Sequence, residues 1–227
     1  RRYLENEAFG VGEELVFDIA YGFIKAGTAT MKIPEQVFLN GRACFHVVTT
    51  AESNSFFSTF FRVRDTVETF IDTEGIFPWK FEKHIREGHY RADRFVDYQQ
   101  QNNLVIQNGK DSLYVTDFVQ GILSAFYYVR VRDLQVGRHF DIMAYGDGFV
   151  YPLRVLIHRE ETVNVPAGKF HCLVVEPVLQ SEGIFNQQGR LLLWLTRDRF
   201  HIPVLMKSKA LIGSVDCRLR SLKRHKE

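Results

Sequence analysis

Val11-Gly-Glu-Glu-Leu-Val-Phe-Asp-Ile-Ala-Tyr-Gly22 is the phrase on which the fold turns. After its Val-Gly pair, Leu15, Phe17, Ile19 and Tyr21 alternate with Val16, Asp18 and Ala20, which is the period of a strand and not of a helix. The pair returns as Val136-Gly137, an offset of 137 − 12 = 125 positions. Phe140-Asp-Ile-Met-Ala-Tyr-Gly146 then echoes Phe17-Asp-Ile-Ala-Tyr-Gly22 with one residue inserted. Pro203 follows Pro78, and Gly213 follows Gly88, by the same 125. A fixed offset at three punctuation points predicts a duplicated structural unit.

The strand grammar continues outward from that phrase. Gly22 and Gly27 bracket an expected turn, and Ala29, Met31 and Ile33 then alternate with Thr28, Thr30 and Lys32 to complete a hairpin with one apolar face. Asn40-Gly41 is a tight-turn signal, followed by Phe45, Val47 and Thr49 on one face. Residues 61–71 give another run, ended by Asp72-Thr-Glu-Gly75. Trp79, Phe81 and Ile85 alternate with Lys80, Glu82, His84 and Arg86, as in a sheet with one wet side. In the second half, residues 151–163, Phe170–Val178, Leu191–Thr196 and Val204–Ala210 read as strands. There Arg197-Asp-Arg-Phe-His-Ile-Pro203 parallels Thr73-Glu-Gly-Ile-Phe-Pro78.

The stretch between the halves is different. Residues 92–98 and 103–107 suggest a hairpin around Gln and Asn. Phe118, Ile122, Ala125, Phe126 and Val129 then fall at helical spacing, which predicts an amphipathic helix over about 117–130. Thr116 or Asp117 is placed to cap it, and Arg130 suits the C-terminal end of its dipole. The expected fold is mainly β: a long, strongly curved antiparallel sheet or open barrel built from two sequence-similar halves, with this helix packed on it. No Pro/Ser-rich linker divides the chain, so residues 1–227 read as a single β domain, its halves 11–98 and 136–220 joined by a segment 99–135.

Composition agrees with strands. Aromatic residues make up 14%, with 20 Phe and 9 Tyr, and such side chains favour pleated surfaces. The net charge of +2 gives no field that would imply nucleic acid. Arg218, Arg220, Lys223, Arg224 and Lys226 form a basic run that reads as a solvated strand face and tail. No stretch of 18 apolar residues predicts a membrane-spanning helix. Three cysteines cannot all pair; Cys44, Cys172 and Cys217 each sit in a strand-like phrase and read as buried thiols.

The chain resembles a bacterial family catalogued as domain of unknown function 3108. The resemblance is carried by Gly12-Glu-Glu-Leu-Val-Phe-Asp-Ile-Ala-Tyr-Gly22 with Ala26-Gly27, by Phe77-Pro-Trp-Lys-Phe81 with Ile85-Arg-Glu-Gly88, and by Asp117 with Leu123-Ser-Ala-Phe-Tyr-Tyr-Val-Arg130. It continues through Val165-Pro-Ala-Gly-Lys-Phe170 with Glu176-Pro177, Trp194-Leu-Thr-Arg-Asp198 with Ile202-Pro203, and Gly213-Ser214. It implies export to the periplasm or outer membrane of a Gram-negative envelope, with the signal peptide already removed, and it supplies no catalytic residue. The Trp-bearing strand, charged turn and Ile-Pro also look similar to the close of the periplasmic lipoprotein-carrier fold. That likeness implies a curved sheet whose concave face holds acyl chains under helices.

Chemistry-bearing motifs are sparse. The eight histidines form no H-E-x-x-H and no zinc-finger spacing with cysteine, and His46 and His171, repeat counterparts, read as structural. There is no G-x-S-x-G and no Gly-rich loop ahead of a helix, so neither a metal nor a cofactor is expected. Asp65, Glu68, Asp72 and Glu74 could pair as glycosidase carboxylates but read as solvated. The apolar surplus is the better lead. Trp79, Phe118, Ile122, Phe126, Tyr127 and Trp194 are the candidate lining of an apolar cavity, or else part of a filled core. Phe56, Phe57, Phe60 and Phe61 read either as a mouth that meets lipid or a partner, or as an edge tucked inward. Three functions follow: a non-catalytic envelope protein binding a lipid, acyl chain or other apolar small molecule; an interaction or scaffold module with an envelope protein as partner; and a glycan-acting hydrolase.

Overall fold

The computed structural model describes residues 2–179, 190–209 and 214–225. In chain order the strands are β1 (Glu14–Tyr21), β2 (Ile24–Leu39), β3 (Arg42–Ser53), β4 (Arg64–Asp72), β5 (Pro78–Glu87), β6 (Tyr90–Gln99), β7 (Leu104–Gln107), β8 (Asp111–Tyr114), β9 (His139–Gly146), β10 (Phe149–Val165), β11 (Gly168–Leu179), β12 (Leu191–Thr196), β13 (Pro203–Lys209) and β14 (Ser214–Lys223). Two α-helices interrupt them, α1 (Ser55–Ser58) and α2 (Ile122–Arg130). All the strands form one antiparallel sheet, in the order β8-β7-β6-β5-β4-β3-β2-β1-β14-β13-β12-β11-β10-β9. The sheet curls but does not close: β8 and β9 remain its two edges.

The duplication is visible bond by bond. Gly12 and Gly137 both have positive φ, at 94° and 80°. Gly12 N donates to Ile33 O and Ile33 N to Glu13 O; Gly137 N donates to Ile157 O and Ile157 N to Arg138 O. Around the two proline turns, Asp72 N donates to Phe77 O and Thr196 N to Ile202 O, both at 2.9 Å. Ile76 and His201, also 125 apart, sit in the left-handed region at φ 50° and 40°. Such a φ is an outlier for a β-branched residue, so the turn geometry holds Ile76 there against its own preference. The third sequence marker, Gly213, lies outside the described residues, as do Arg1, Ala210 and Lys226.

The two halves are thus six-strand meanders, β1–β6 and β9–β14, placed head to tail. Where they meet at β1 and β14, eight register pairs run from Glu14 opposite Lys223 to Tyr21 opposite Val215. The alternation of the opening phrase puts Leu15 and Phe17 inward, with no exposed surface, against Met31, Ile33, Val47, Ile71, Val174, Val204 and Leu219. At the symmetry-related junction β6 and β9 do not pair. The hairpin β7–β8 extends the sheet from β6 instead. A single parallel bridge joins the free edge of β9 to the linker: Gln120 N donates to Met143 O and Tyr145 N to Gln120 O.

That bridge shortens the expected helix. Residues 118–121 are spent on it: Phe118 has φ 57°, and Gly121 is extended and caps α2, its N–H bonding the Ser124 hydroxyl. The helix therefore starts at Ile122, not at 117, and neither Thr116 nor Asp117 caps it. Two further expectations are corrected. Gly27 does not flank a turn but lies inside β2, its Cα against the Glu52 carbonyl. Asp72 is not solvated but fully buried. Asn40-Gly41 does form its tight turn, both residues at positive φ.

The duplicated turns hold the unduplicated helix between them. At its N-terminal side Gln120 Nε2 donates to Ile76 O at 2.8 Å. At its C-terminal end His201 Nδ1 donates to Arg130 O at 2.8 Å, and Arg130 donates to Phe200 O. Arg130 is buried and forms a two-pronged ion pair with the equally buried Glu13 at 2.7 and 2.8 Å, with a further bond to Ala8 O. Alternate connections of a meander lie at the same end, so α2 closes the end that carries both proline turns. The opposite end carries the connections 22–23, 54–63, 88–89 and 147–148 and forms a rim.

Candidate functional site

The unpaired junction between β6 and β9 frames a pocket of about 150 Å³ that is partly open to solvent. One wall is supplied by Val67 of β4, Phe81 and Lys83 of β5, Arg94, Val96 and Tyr98 of β6, and Gln107 of β7. Register explains their convergence: Phe81 lies opposite Val96, and Lys83 opposite both Arg94 and Val67, so all face inward together. Tyr145, Gly146, Asp147 and Tyr151 form the facing wall, and Ile122, the first residue of α2, lies between. Ile122 is 69% exposed although the helix after it is buried or half-buried, because the pocket it borders opens to solvent there.

Side chains span the gap that the strands leave. Tyr98 and Tyr145 meet edge to face with ring centroids 6.1 Å apart, and Tyr145 Oη donates to Gln107 Oε1 at 3.2 Å. Arg94 pairs with Asp147 across the rim side of the cavity. Burial raises the phenols of Tyr98, Tyr145 and Tyr151 above the ordinary tyrosine value, so all three stay protonated at neutral pH. Lys83 makes no ion pair within 4 Å among the described residues. Two inward positions further along β5, burial and then the facing Asp65 raise the Glu87 carboxyl above its usual range.

The sequence-derived lining residues are scattered. Of the six, Ile122 lines this cavity. Trp79 is buried with Cys44 and Phe77, and its indole N–H donates to Asp72 Oδ2 at 3.1 Å. Phe118 packs on Phe77 and beneath the Arg2 guanidinium. Tyr127 is buried against Phe9, and Phe126 lies half-buried beside it. Trp194 is buried in the core beside the closed junction, with Lys207 over its ring. The four phenylalanines of 56–61 gather at the rim. Phe56, Phe60 and Phe61 are exposed, Phe60 at 79%, while Phe57 is half-buried. Asn54 fixes this segment by capping α1 through Phe57 N and by donating to Lys25 O. Exposed Phe23, Ile24, Tyr90 and Phe149 stand on other rim connections or beside them.

The carboxylates once considered for glycan chemistry are already engaged. Asp72 accepts two bonds from Arg42 and one each from Trp79 Nε1, Glu74 N and Gly75 N. Burial would raise its carboxyl, but these donors outweigh burial and hold it below the usual range. Glu68 pairs with His46 at 2.6 Å, and Glu74 with Arg42 at 3.1 Å. Asp65 accepts from Arg86 N. The thiols of Cys44, Cys172 and Cys217 are free, and burial pushes the first two up to about 12. Among the described residues no group of three or more His, Cys, Asp or Glu side chains could hold a metal ion, and no helix is long and apolar enough to cross a membrane.

These features define a barrel-like, open antiparallel sheet protein with a helix closing one end. The chain belongs to the family described as "Protein of unknown function (DUF3108)", whose model matches residues 16–220. No curated protein matches it. Among solved structures it is similar to a beta-barrel-like protein of domain of unknown function DUF1849 from Brucella abortus, at 12% identity and a TM-score of 0.59, covering 96% of this chain and 100% of that one. It is also similar, at a TM-score of 0.36 and 10% identity, to a protein provisionally described as a lipoprotein from Parabacteroides distasonis, covering 98% of this chain and 100% of that one. A provisionally described exported protein with a YmcC-like fold from Bacteroides fragilis gives 0.34 at 12% identity, covering 99% and 100%. Only the first of these likenesses bears on the fold.

Proposed function

We propose that this chain is a non-catalytic envelope protein, exported to the periplasm or the outer membrane, that binds an apolar ligand such as a lipid or acyl chain at the open junction. The observation that carries the reading is the cavity between β6 and β9, where Val67, Phe81, Val96, Tyr98, Ile122 and Tyr151 gather around unfilled space. These aromatic and aliphatic groups share the pocket with Lys83, Arg94, Gln107 and Asp147, the mixture of apolar lining and a few polar groups that suits a guest with an apolar part. At about 150 Å³ it is smaller than the roughly 300–1,000 Å³ of a typical small-molecule site, so it seats one end of a ligand and not a whole lipid. Organic extraction and mass spectrometry of gently purified protein should recover a stoichiometric apolar compound. Protein that is consistently empty, and that takes up no added fatty acid or phospholipid, overturns the reading.

A second reading, an interaction module for an envelope protein, is favoured by two surface features. The rim aromatics are exposed together, and edge strand β8 is exposed along its whole length, with Tyr114 at 82%. An uncovered edge is a template for another strand.

A further inference from the structure

Lys83 sets a condition on the ligand that the apolar lining does not. The inward face of β5 reads Trp79, Phe81, Lys83, Ile85, Glu87, so a cation follows directly on the apolar part of the strand. Its neighbour across the sheet, Arg94, is already neutralised by Asp147. Lys83 itself has no ion-pair partner within 4 Å among the described residues. Glu87, two inward positions along the same strand, shares a side-chain hydrogen bond with Asp65 and attracts the Lys83 ammonium only through space, without forming an ion pair with it. An ammonium in a half-buried apolar wall loses hydration that only an anion restores in full.

The arrangement is also ordered along the barrel axis. Phe81, Val96, Tyr98 and Ile122 lie toward the helix-closed end. Lys83 is two residues, roughly 7 Å, nearer the rim. The geometry points to an anionic amphiphile as the ligand: its chain end rests on Phe81, Val96 and Ile122, and its carboxylate or phosphate binds the Lys83 ammonium. This rests on the apolar-ligand reading and names the class of molecule that reading leaves open.

Calorimetric titration of the full chain with octanoate, octyl phosphate and octanol tests it. One charge-assisted bond is expected to make at least one of the anions about tenfold tighter than the alcohol. Which anion gains more identifies the headgroup. Lys83→Met should bring the anions to within about threefold of octanol without weakening octanol itself, and Lys83→Arg should keep the preference. Equal binding of all three to the unmodified chain, or an undiminished anion preference in Lys83→Met, overturns the headgroup assignment while leaving apolar binding intact. If none of the three binds, the apolar-ligand reading fails as well.

Discussion

The two junctions between the halves began as equivalents and ended as opposites. At one, β1 and β14 zip together over eight register pairs above a core of Leu15, Phe17, Val204 and Leu219. At the other, β6 and β9 exchange no backbone bonds. The gap is spanned by one bridge from Gln120, a tyrosine pair, a tyrosine–glutamine bond and an ion pair. Duplication supplied the same strands to both places, so the difference lies in the uncopied segment 100–135. Its hairpin β7–β8 takes the edge of β6, and its helix fills the end of the barrel. The closed junction is structural; the open one leaves space, unfilled hydrogen-bonding edge and, in Lys83, a cation with no ion pair within 4 Å among the described residues.

This contrast predicts that damage to the closed side costs the most. Arg130 ties the helix to Glu13 at the foot of β1, with neither side chain exposed. Arg130→Met would strand the Glu13 carboxylate in the core, at about 3–5 kcal/mol by denaturant titration. The double change Glu13→Leu with Arg130→Met should recover most of that loss, because an apolar pair of similar volume needs no compensation. A double variant as unstable as the single would show that packing or the bonds to Ala8 and Phe200, and not the stranded charge, set the cost. On the open side Gln120→Ala should cost only about 1 kcal/mol. The Ile76 carbonyl keeps its bond from Arg2, and the buried, unpartnered Gln120 Oε1 is removed along with the amide. Hydrogen exchange should place that loss in β9, with Tyr145 N–H speeding up and the β1–β14 amides unchanged.

The closed junction was far more legible than the open one. Period-two alternation in Leu15–Tyr21 fixed which side chains face the core, and the 125-residue offset matches both the proline turns and the hydrogen bonds beneath Gly12 and Gly137. The spacing predicts the helix, but the expected start at 117 lies five residues early, since nothing local reveals that residues 118–121 are needed to bridge a strand edge far along the chain. The pocket, too, leaves one mark in the sequence. Trp79, Phe81 and Ile85 define an inward face that includes position 83, and a lysine there breaks the pattern. Tyr98, Tyr145 and Tyr151 carried no such mark. They meet only because β6 and β9 fail to pair, which is a property of the whole sheet.

The smallest expected effect separates the junctions most cleanly, because each is crossed by one comparable surface ion pair. Arg94–Asp147 spans the open junction, and Arg220–Asp18, at 3.2 Å, spans the closed one. Both pairs lie at the surface, and Asp18 keeps Lys25 when Arg220 is removed, so breaking either pair should change global stability by only about 0–1 kcal/mol, and less still in high salt. Their local consequences should differ. At the closed junction the backbone ladder holds β1 to β14 whether or not Arg220 is present, so Arg220→Ala should leave amide exchange in both strands unaltered. At the open junction no ladder stands behind the ion pair, so Asp147→Ala should raise exchange through the 146–149 turn and the rim end of β9. Equal responses at the two sites would mean that the open junction is held by packing as firmly as the closed one is held by hydrogen bonds. In that case the pocket would be a rigid one, with no give in its walls on the β9 side.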